Sequence, residues 1–233
     1  MDEFKRKYKI FRTTALPFPN EYVKALMGEL NGWSYSEEQA LDFKGKWHEE
    51  VFSAKNDMPL DLEIGTGNGF HFAHHAKKYP ERLLLGLELK YKPLIQSIRR
   101  ARTEGSENAR MARFKATVLD YILADNEVQN VIIHHPDPWL KKSQKKNRLI
   151  QDVFMKKLST IQKENGIVDF KTDNENYYDW ALEVFKNSSY SFERETRDLH
   201  NSPWAEENFI TAFERIFLVK GQPIFYCRLK NTY

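Results

Sequence analysis

From residue 60 onward, short apolar runs alternate with stretches of helical spacing, and this alternation constrains the fold of the 233-residue chain more than any other feature. The first run, 60–64, has strand length and stops at Gly65-Thr66-Gly67-Asn68-Gly69, the pattern of a buried strand entering a tight turn. Further strands are expected at 82–89, 110–117, 128–135, 167–171, 190–199 and 224–229, which makes seven. Helices are expected at 70–79, 93–103 and 149–161, then after the capping residue Asn174 along Tyr177, Trp180, Ala181, Val184 and Phe185. A last helix is expected from Ser202-Pro203, with Phe209, Phe213, Ile216 and Phe217 on a core-facing side. Strands separated by helices require right-handed crossovers, hence an α/β fold with a mostly parallel seven-stranded sheet and helices on both faces. Ligands of such sheets bind beyond the carboxyl ends of the strands, so the loops after Ile64, Leu87, Ala116, His135 and Lys171 are the ones to inspect.

Residues 1–44 lack that rhythm and read as a basic arm with one short helix near 21–30, ahead of a domain spanning 45–233. The hydrophobic fraction of 41% is enough for a real core, which excludes wholesale disorder. No apolar run approaches the roughly 18 residues that span a bilayer, and the charged N-terminus has no apolar stretch behind it, unlike a signal peptide. The single cysteine, Cys227, cannot form an intrachain disulfide, which suits a reducing, cytoplasmic setting. Net charge is only +3, from 36 basic and 33 acidic residues, but the basic residues are clustered. Lys5, Arg6, Lys7, Lys9 and Arg12 form one group, Arg99, Arg100, Arg102, Arg110 and Arg113 a second, and Lys141, Lys142, Lys145, Lys146 and Arg148 the densest. Such clusters on a nearly neutral chain suggest a surface that faces a polyanion.

The first loop reads Glu63-Ile64-Gly65-Thr66-Gly67-Asn68-Gly69. A dinucleotide fingerprint, G-x-G-x-x-G, would put its third glycine at position 70, which is Phe70. Glu88 ends the second expected strand, where a carboxylate can accept both hydroxyls of a ribose, and Glu63 stands at the tip of the first, where it can attract a cation. Two acids favour S-adenosylmethionine, with its ammonium and sulfonium, over a pyrophosphate cofactor such as NAD. A purely structural turn is the third alternative. His71 and His75 are four residues apart without the glutamate of an H-E-x-x-H site, so no metal is expected.

The fourth loop reads His134-His135-Pro136-Asp137-Pro138-Trp139-Leu140-Lys141-Lys142. Its two prolines stiffen the chain and hold Asp137 at the sheet edge, with the basic run directly behind. Here the chain resembles the bacterial tRNA (guanine-N7-)-methyltransferases. The matching pieces are EIGTGNG at 63–69, GLEL at 86–89, PDPWLKK at 136–142, KTDN at 171–174, TAFE at 211–214 and GQPIF at 221–225, in the family's order. The resemblance implies a Rossmann-like S-adenosylmethionine-dependent methyltransferase fold and, as substrate, the guanosine at position 46 in the variable loop of tRNA. It also implies roles: Glu63, Gly65, Gly67, Gly69, Glu88 and Ala116 for the cofactor, and Asp137 as the catalytic carboxylate. Lys141, Asp173, Thr211, Phe213 and Glu214 would contact the guanosine, and Lys142, Lys145, Lys146 and Arg148 the RNA.

Two positions depart from the family's usual pattern. Lys115 stands before Ala116, where the family usually has an acid beside the adenine, with Asp120 a nearby substitute. The basic segment has Ser143-Gln144-Lys145-Lys146-Asn147-Arg148 in place of a histidine and paired arginines. Two other functions fit parts of the sequence: methylation of an exocyclic amine, which would usually carry a second proline after Asp137-Pro138, and RNA binding without catalysis.

Overall fold

One sheet of eight strands runs through the computed structural model, which describes residues 20–55 and 57–233. The strands are β1 (Ser34–Tyr35), β2 (Leu60–Ile64), β3 (Leu83–Leu87), β4 (Ala109–Ala112), β5 (Val131–His134), β6 (Ile167–Thr172), β7 (Tyr190–Thr196) and β8 (Phe225–Asn231). Their order is β1-β4-β3-β2-β5-β6-β8-β7, parallel throughout except that β8 runs antiparallel to both β6 and β7. The helices are α1 (Glu21–Met27), α2 (Glu37–Asp42), α3 (Phe70–Lys78), α4 (Tyr91–Thr103), α5 (Asp152–Ile161), α6 (Glu175–Lys186) and α7 (Ala212–Val219). Every residue of β2 and β3 is buried, because helices cover both faces of the central strands and leave no side for water. On one face Leu60, Leu62 and Ile64 pack with Phe154 of α5 and Tyr177 and Phe185 of α6; on the other, Leu84 packs with Phe72 of α3 and Ile95 and Ile98 of α4.

The strand beyond the expected seven is β1, which pairs with Met111 and Ala112 of β4. Two residues are too few to show a period, so the sequence carries no signal for it. The chain before residue 44 thus shares the sheet, while the basic residues from Lys5 to Arg12 lie outside the described residues. The mid-chain arginines fasten this segment down. Arg99 is bonded to Glu29, and Arg102 and Arg110 lie over the ring of Trp33 at 4.9 and 4.5 Å. Arg113 is 1% exposed and bonds the fully buried Glu37 of α2. Arg113 is thereby removed from any surface and Arg110 is half-buried, while Arg99 and Arg102 stay exposed although they are tied to this segment.

Two expected elements are shorter than their sequence pattern. β4 ends at Ala112 because its neighbour β1 turns into α2, which Ser36 and Gln39 cap reciprocally; the chain then coils through a tight turn at Ala116–Tyr121. After β7 the helix expected from Ser202 is replaced by two short turns, and α7 begins only at Ala212, where Thr211 and Glu214 close a capping box. The apolar side of α7 is only partly core: Phe217 packs against Leu199, Ile224 and Tyr226, but Phe213 is 45% and Ile216 52% exposed. Among the described residues no helix is long and apolar enough to cross a membrane.

Candidate active site

The strand order reverses between β2 and β5, and the loops that follow β3, β2 and β5 lie side by side at that point. This is the switch point at which open α/β sheets bind ligands.

The glycines after β2 divide into two roles. Gly65 and Gly67 have φ of +76° and +54°, and a Cβ on either would meet nothing within 4 Å, so their backbone borders open space. Gly69 begins α3, and a Cβ there would lie 2.3 Å from the Ser97 Cα; its glycine is required by close packing on α4. Ser97 carries no mark in the sequence, yet it organises this loop. Its hydroxyl lies 2.9 Å from the Thr66 hydroxyl and bonds the Gly67 carbonyl at 3.1 Å. A serine on the buried side of an arginine-rich helix gives no local sign of such a task.

Glu88 stands at the rim of the same opening. It accepts from the Gly67 amide at 3.3 Å and from the Lys90 amide at 2.9 Å, which fixes the carboxylate while leaving it partly exposed. The adjacent loop is supported from inside by Arg113, which donates to the Leu89 carbonyl at 2.9 Å. Glu63 has a different setting from the one expected: it is 3% exposed and turned toward α3, with Oε2 2.8 Å from His71 Nδ1. Lys115 and Ala116 are half-buried where β4 has ended. Asp120 is not a free substitute for an acid there, because it holds Lys157 at 2.7 Å.

After β5 the backbone is constrained on both sides of Asp137. His135 and Trp139 have φ of +50° and +45°, uncommon for residues with a Cβ, and Pro136 and Pro138 lie between them. Asp137 is exposed, and on the loop after the adjacent strand β6 Asp173 lies 3.3 Å from His135 Nδ1. The ring of Phe213 meets His135 edge-on at 4.9 Å between centroids, so the start of α7 adjoins this pair. Trp139 is half-buried.

The basic run behaves in two ways. Lys141, Lys142 and Lys146 are exposed around a tight turn at Lys142–Asn147 that buries none of its side chains, and Lys145 lies 5.9 Å over Trp180. Arg148, expected to meet RNA, is 2% exposed and packs under the loop; the correction follows from the aromatic floor that Tyr177 and Trp180 supply. Glu214 is likewise not at the surface. Its carboxylate is fully buried and accepts from Lys171, Asn208 and the Thr211 amide at 2.9, 3.0 and 3.0 Å. Burial pushes this carboxyl up, but the Lys171 ammonium and the hydrogen bonds from Thr211, Asn208 and Lys171 together outweigh it and leave it below its ordinary value. The S/T-x-x-E spacing of Thr211 and Glu214, read as a helix start, signals that inward turn.

Beneath the edge, on the α3 face, a cavity of about 270 Å³ is lined by His71, His74, His134, Lys171, Trp204 and Arg228 among others. Burial and the nearby Lys171 ammonium hold His134 well below its ordinary pKa. The principal cations are matched within the wall: Arg228 bonds Asp169, and Arg194 bonds Glu207. His75 contacts Asp61 at 2.9 Å, and Asp61 also accepts two bonds from Arg82. The two histidines four residues apart are thus each held by a carboxylate, His71 by Glu63 and His75 by Asp61.

Known proteins resemble this chain over most of its length. The profile of a family described as "Putative methyltransferase" matches residues 57–227. A tRNA (guanine-N(7)-)-methyltransferase of Bdellovibrio bacteriovorus is 48% identical over 89% of the chain and 99% of the relative. The enzyme of that name from Bacillus subtilis is 33% identical over 79% and 84%. Among solved structures, an rRNA methylase from Streptococcus thermophilus superposes with a TM-score of 0.53 at 13% identity, covering 80% of this chain and 94% of that one, a likeness of fold.

Proposed function

The chain belongs to the tRNA (guanine-N7-)-methyltransferase family, and from that premise we propose that it methylates N7 of guanosine 46 in the variable loop of tRNA, in the cytoplasm. The methyl donor is S-adenosylmethionine. The observation that carries the reading is the adjacency of three loops: Glu88 after β3, the open glycine turn after β2 and Asp137 after β5.

The residues present fit the donor. The backbone at Gly65 and Gly67 leaves space that a side chain would fill, and Glu88 is held where it can take two ribose hydroxyls. Ala116, assigned to the cofactor by the family resemblance, is half-buried at the turn that follows β4. Glu63 supports the turn from below through His71, and Gly69 packs it onto α4. When bound, the donor supplies a methyl group on a sulfonium centre, an electrophile that needs no activation by acid.

Guanine N7 carries a lone pair and no proton, so attack requires no general base. Placement is the larger task, and the base becomes cationic as the bond forms. Asp137 faces that developing charge. At 4 Å the attraction is about 1 kcal/mol in water and about 4 kcal/mol at an effective dielectric of 20. An exposed aspartate gains the larger value only once the incoming base displaces water. Asp173, oriented by His135, accepts from the base edge, with Lys141, Thr211 and Phe213 lining the approach. Glu214 acts from behind, by fixing the start of α7 to Lys171. Lys142, Lys145 and Lys146 neutralise phosphates, and Arg148 is removed from that set by its burial. The target nucleotide must leave its stack, at a cost of a few kcal/mol that these contacts offset.

The test is incubation of the protein with labelled donor and unmodified tRNA, followed by borohydride reduction and aniline cleavage at 7-methylguanosine. Label in 7-methylguanosine with scission at position 46 is the expected result. Scission elsewhere overturns the site, and label in an exocyclic methylamine overturns the reaction.

A further inference from the structure

Among the described residues, Arg148 is a cation buried without an acid. Its Nε donates to the Pro138 carbonyl at 2.8 Å, and its guanidinium carbon lies 5.0 Å from the ring centre of Tyr177 and 5.2 Å from that of Trp180. Nη1 is buried with no hydrogen-bond partner among the described residues, and burial lowers the guanidinium pKa. Burying a charge on such terms opposes folding, so the contacts it makes must offset that cost.

What those contacts do is visible in the chain path. The bond from Arg148 to Pro138 closes the segment between them into a loop that contains Lys141, Lys142, Lys145 and Lys146. Gln151 draws the same segment in by donating to the Lys145 carbonyl at 3.1 Å. Just before the closure stands Asp137, between two residues of positive φ. Conformations of this kind cost about 1–3 kcal/mol each and persist only where the surroundings over-determine them. The prolines restrict φ at 136 and 138, but nothing in them fixes the direction of the Pro138 carbonyl or the turn at Trp139. The arginine does, from a slot floored by α6.

We infer that Arg148 is a positioning residue: it meets no RNA, and instead clamps the Pro138 carbonyl so that the Pro136-Asp137-Pro138 loop presents Asp137 in one orientation, with the lysine loop tied to it. The inference rests on the proposed role of Asp137. A lysine cannot replace the arginine, since an ammonium lacks the flat face that stacks on Tyr177 and Trp180 and the Nε–H that reaches the carbonyl.

The experiment compares Arg148→Lys, Arg148→Ala, Lys142→Ala and Asp137→Ala in the full chain, by steady-state methylation of tRNA, tRNA binding against salt, and calorimetry with S-adenosylmethionine. Arg148→Lys should lower kcat on the order of 100-fold, the loss that a misplacement of about 1 Å can cause. Its KM for tRNA, its salt slope and its donor affinity should stay near wild type. Added guanidinium should restore part of the Arg148→Ala turnover, where sodium chloride at the same concentration does not. A salt slope reduced by about 0.7–0.9, as Lys142→Ala is expected to show, with kcat intact would make Arg148 a phosphate contact and overturn the inference. If Arg148→Ala does not fold, Arg148→Lys decides. Inactive Asp137→Ala beside a fully active Arg148→Lys defeats the clamp alone. Full turnover in Asp137→Ala with loss in Arg148→Lys defeats the role of Asp137, and with it the inference as stated, while showing that Arg148 matters to turnover by another route.

Discussion

Two basic clusters of five residues each meet different fates in this molecule. The mid-chain arginines are taken up by the protein itself: Arg113 is buried on Glu37, Arg110 and Arg102 flank Trp33, and Arg100 lies 3.6 Å over Phe70, although Arg102 keeps an exposed side chain. The lysines from Lys141 to Lys146 surround a turn that buries none of its side chains. The difference is chemical. A guanidinium is flat and weakly hydrated, so it can stack on a ring and enter the protein; an ammonium is a strongly hydrated point charge and stays in water. Arg148, at the end of the lysine run, follows the arginine rule. A cluster of positive charge in a sequence is therefore evidence of a polyanion surface mainly to the extent that it is lysine, or arginine with no aromatic nearby.

The largest test of this division is Arg113→Ala. It leaves Glu37 buried without its cation, and should cost about 3–5 kcal/mol in urea unfolding while the salt slope for tRNA stays fixed. Adding Glu37→Gln should recover much of that loss, and no recovery would show the pair to be incidental. Next comes replacement of Lys141, Lys142, Lys145 and Lys146 by Ala, which should leave unfolding within about 1 kcal/mol of wild type. It should flatten the dependence of log K on log salt by about 0.7–0.9 for each phosphate that is no longer neutralised. An unchanged slope would mean that the lysine face is not where tRNA sits.

A third test uses pH. His134 in the fold lies well below its ordinary pKa, because burial and Lys171 oppose its protonation. As pH falls through about 6.5 the unfolded chain takes up the proton first, so stability is lost on acidification, at up to about 1.4 kcal/mol per pH unit. His134→Gln should flatten that decline, and an unaltered decline would remove His134 as its source. Lysines and arginines keep their charge over this range, so the salt slope for tRNA should be the same at about pH 7.5 and 5.5. A steeper slope at the lower pH would bring the histidines into the RNA surface. The smallest effect is Arg102→Ala, which removes a half-exposed cation over the Trp33 ring, an interaction of about 0.5–1 kcal/mol. A destabilisation above about 2 kcal/mol would mean that the arginine supports more than that ring.

Much of the fold was legible, for local reasons. Apolar runs covered on both faces made β2, β3 and β5 readable, and the turn chemistry of Gly65–Gly69 and Pro136–Pro138 marked where two of them stop. The amphipathic spacing of α6 and its Asn174 cap also held. What failed was the pattern of α7, where Phe217 packs inward but Phe213 and Ile216 on the same stripe are exposed, and the length of β4, which stops because β1 does. Both depend on which neighbour is present.

The sequence by itself determined the alternation of strand and helix, the glycine turn, the acid after β3 and the aspartate between two prolines, because each is written within a few residues in backbone conformation and hydrophobic period. Only the tertiary structure decided which charges face water. Glu63, Glu37, Glu214, Arg113 and Arg148 are removed from solvent by partners distant in the chain, such as Arg113 for Glu37 and Lys171 for Glu214. The free energy of a buried charge is set by the groups packed around it, and a linear sequence does not say which those are.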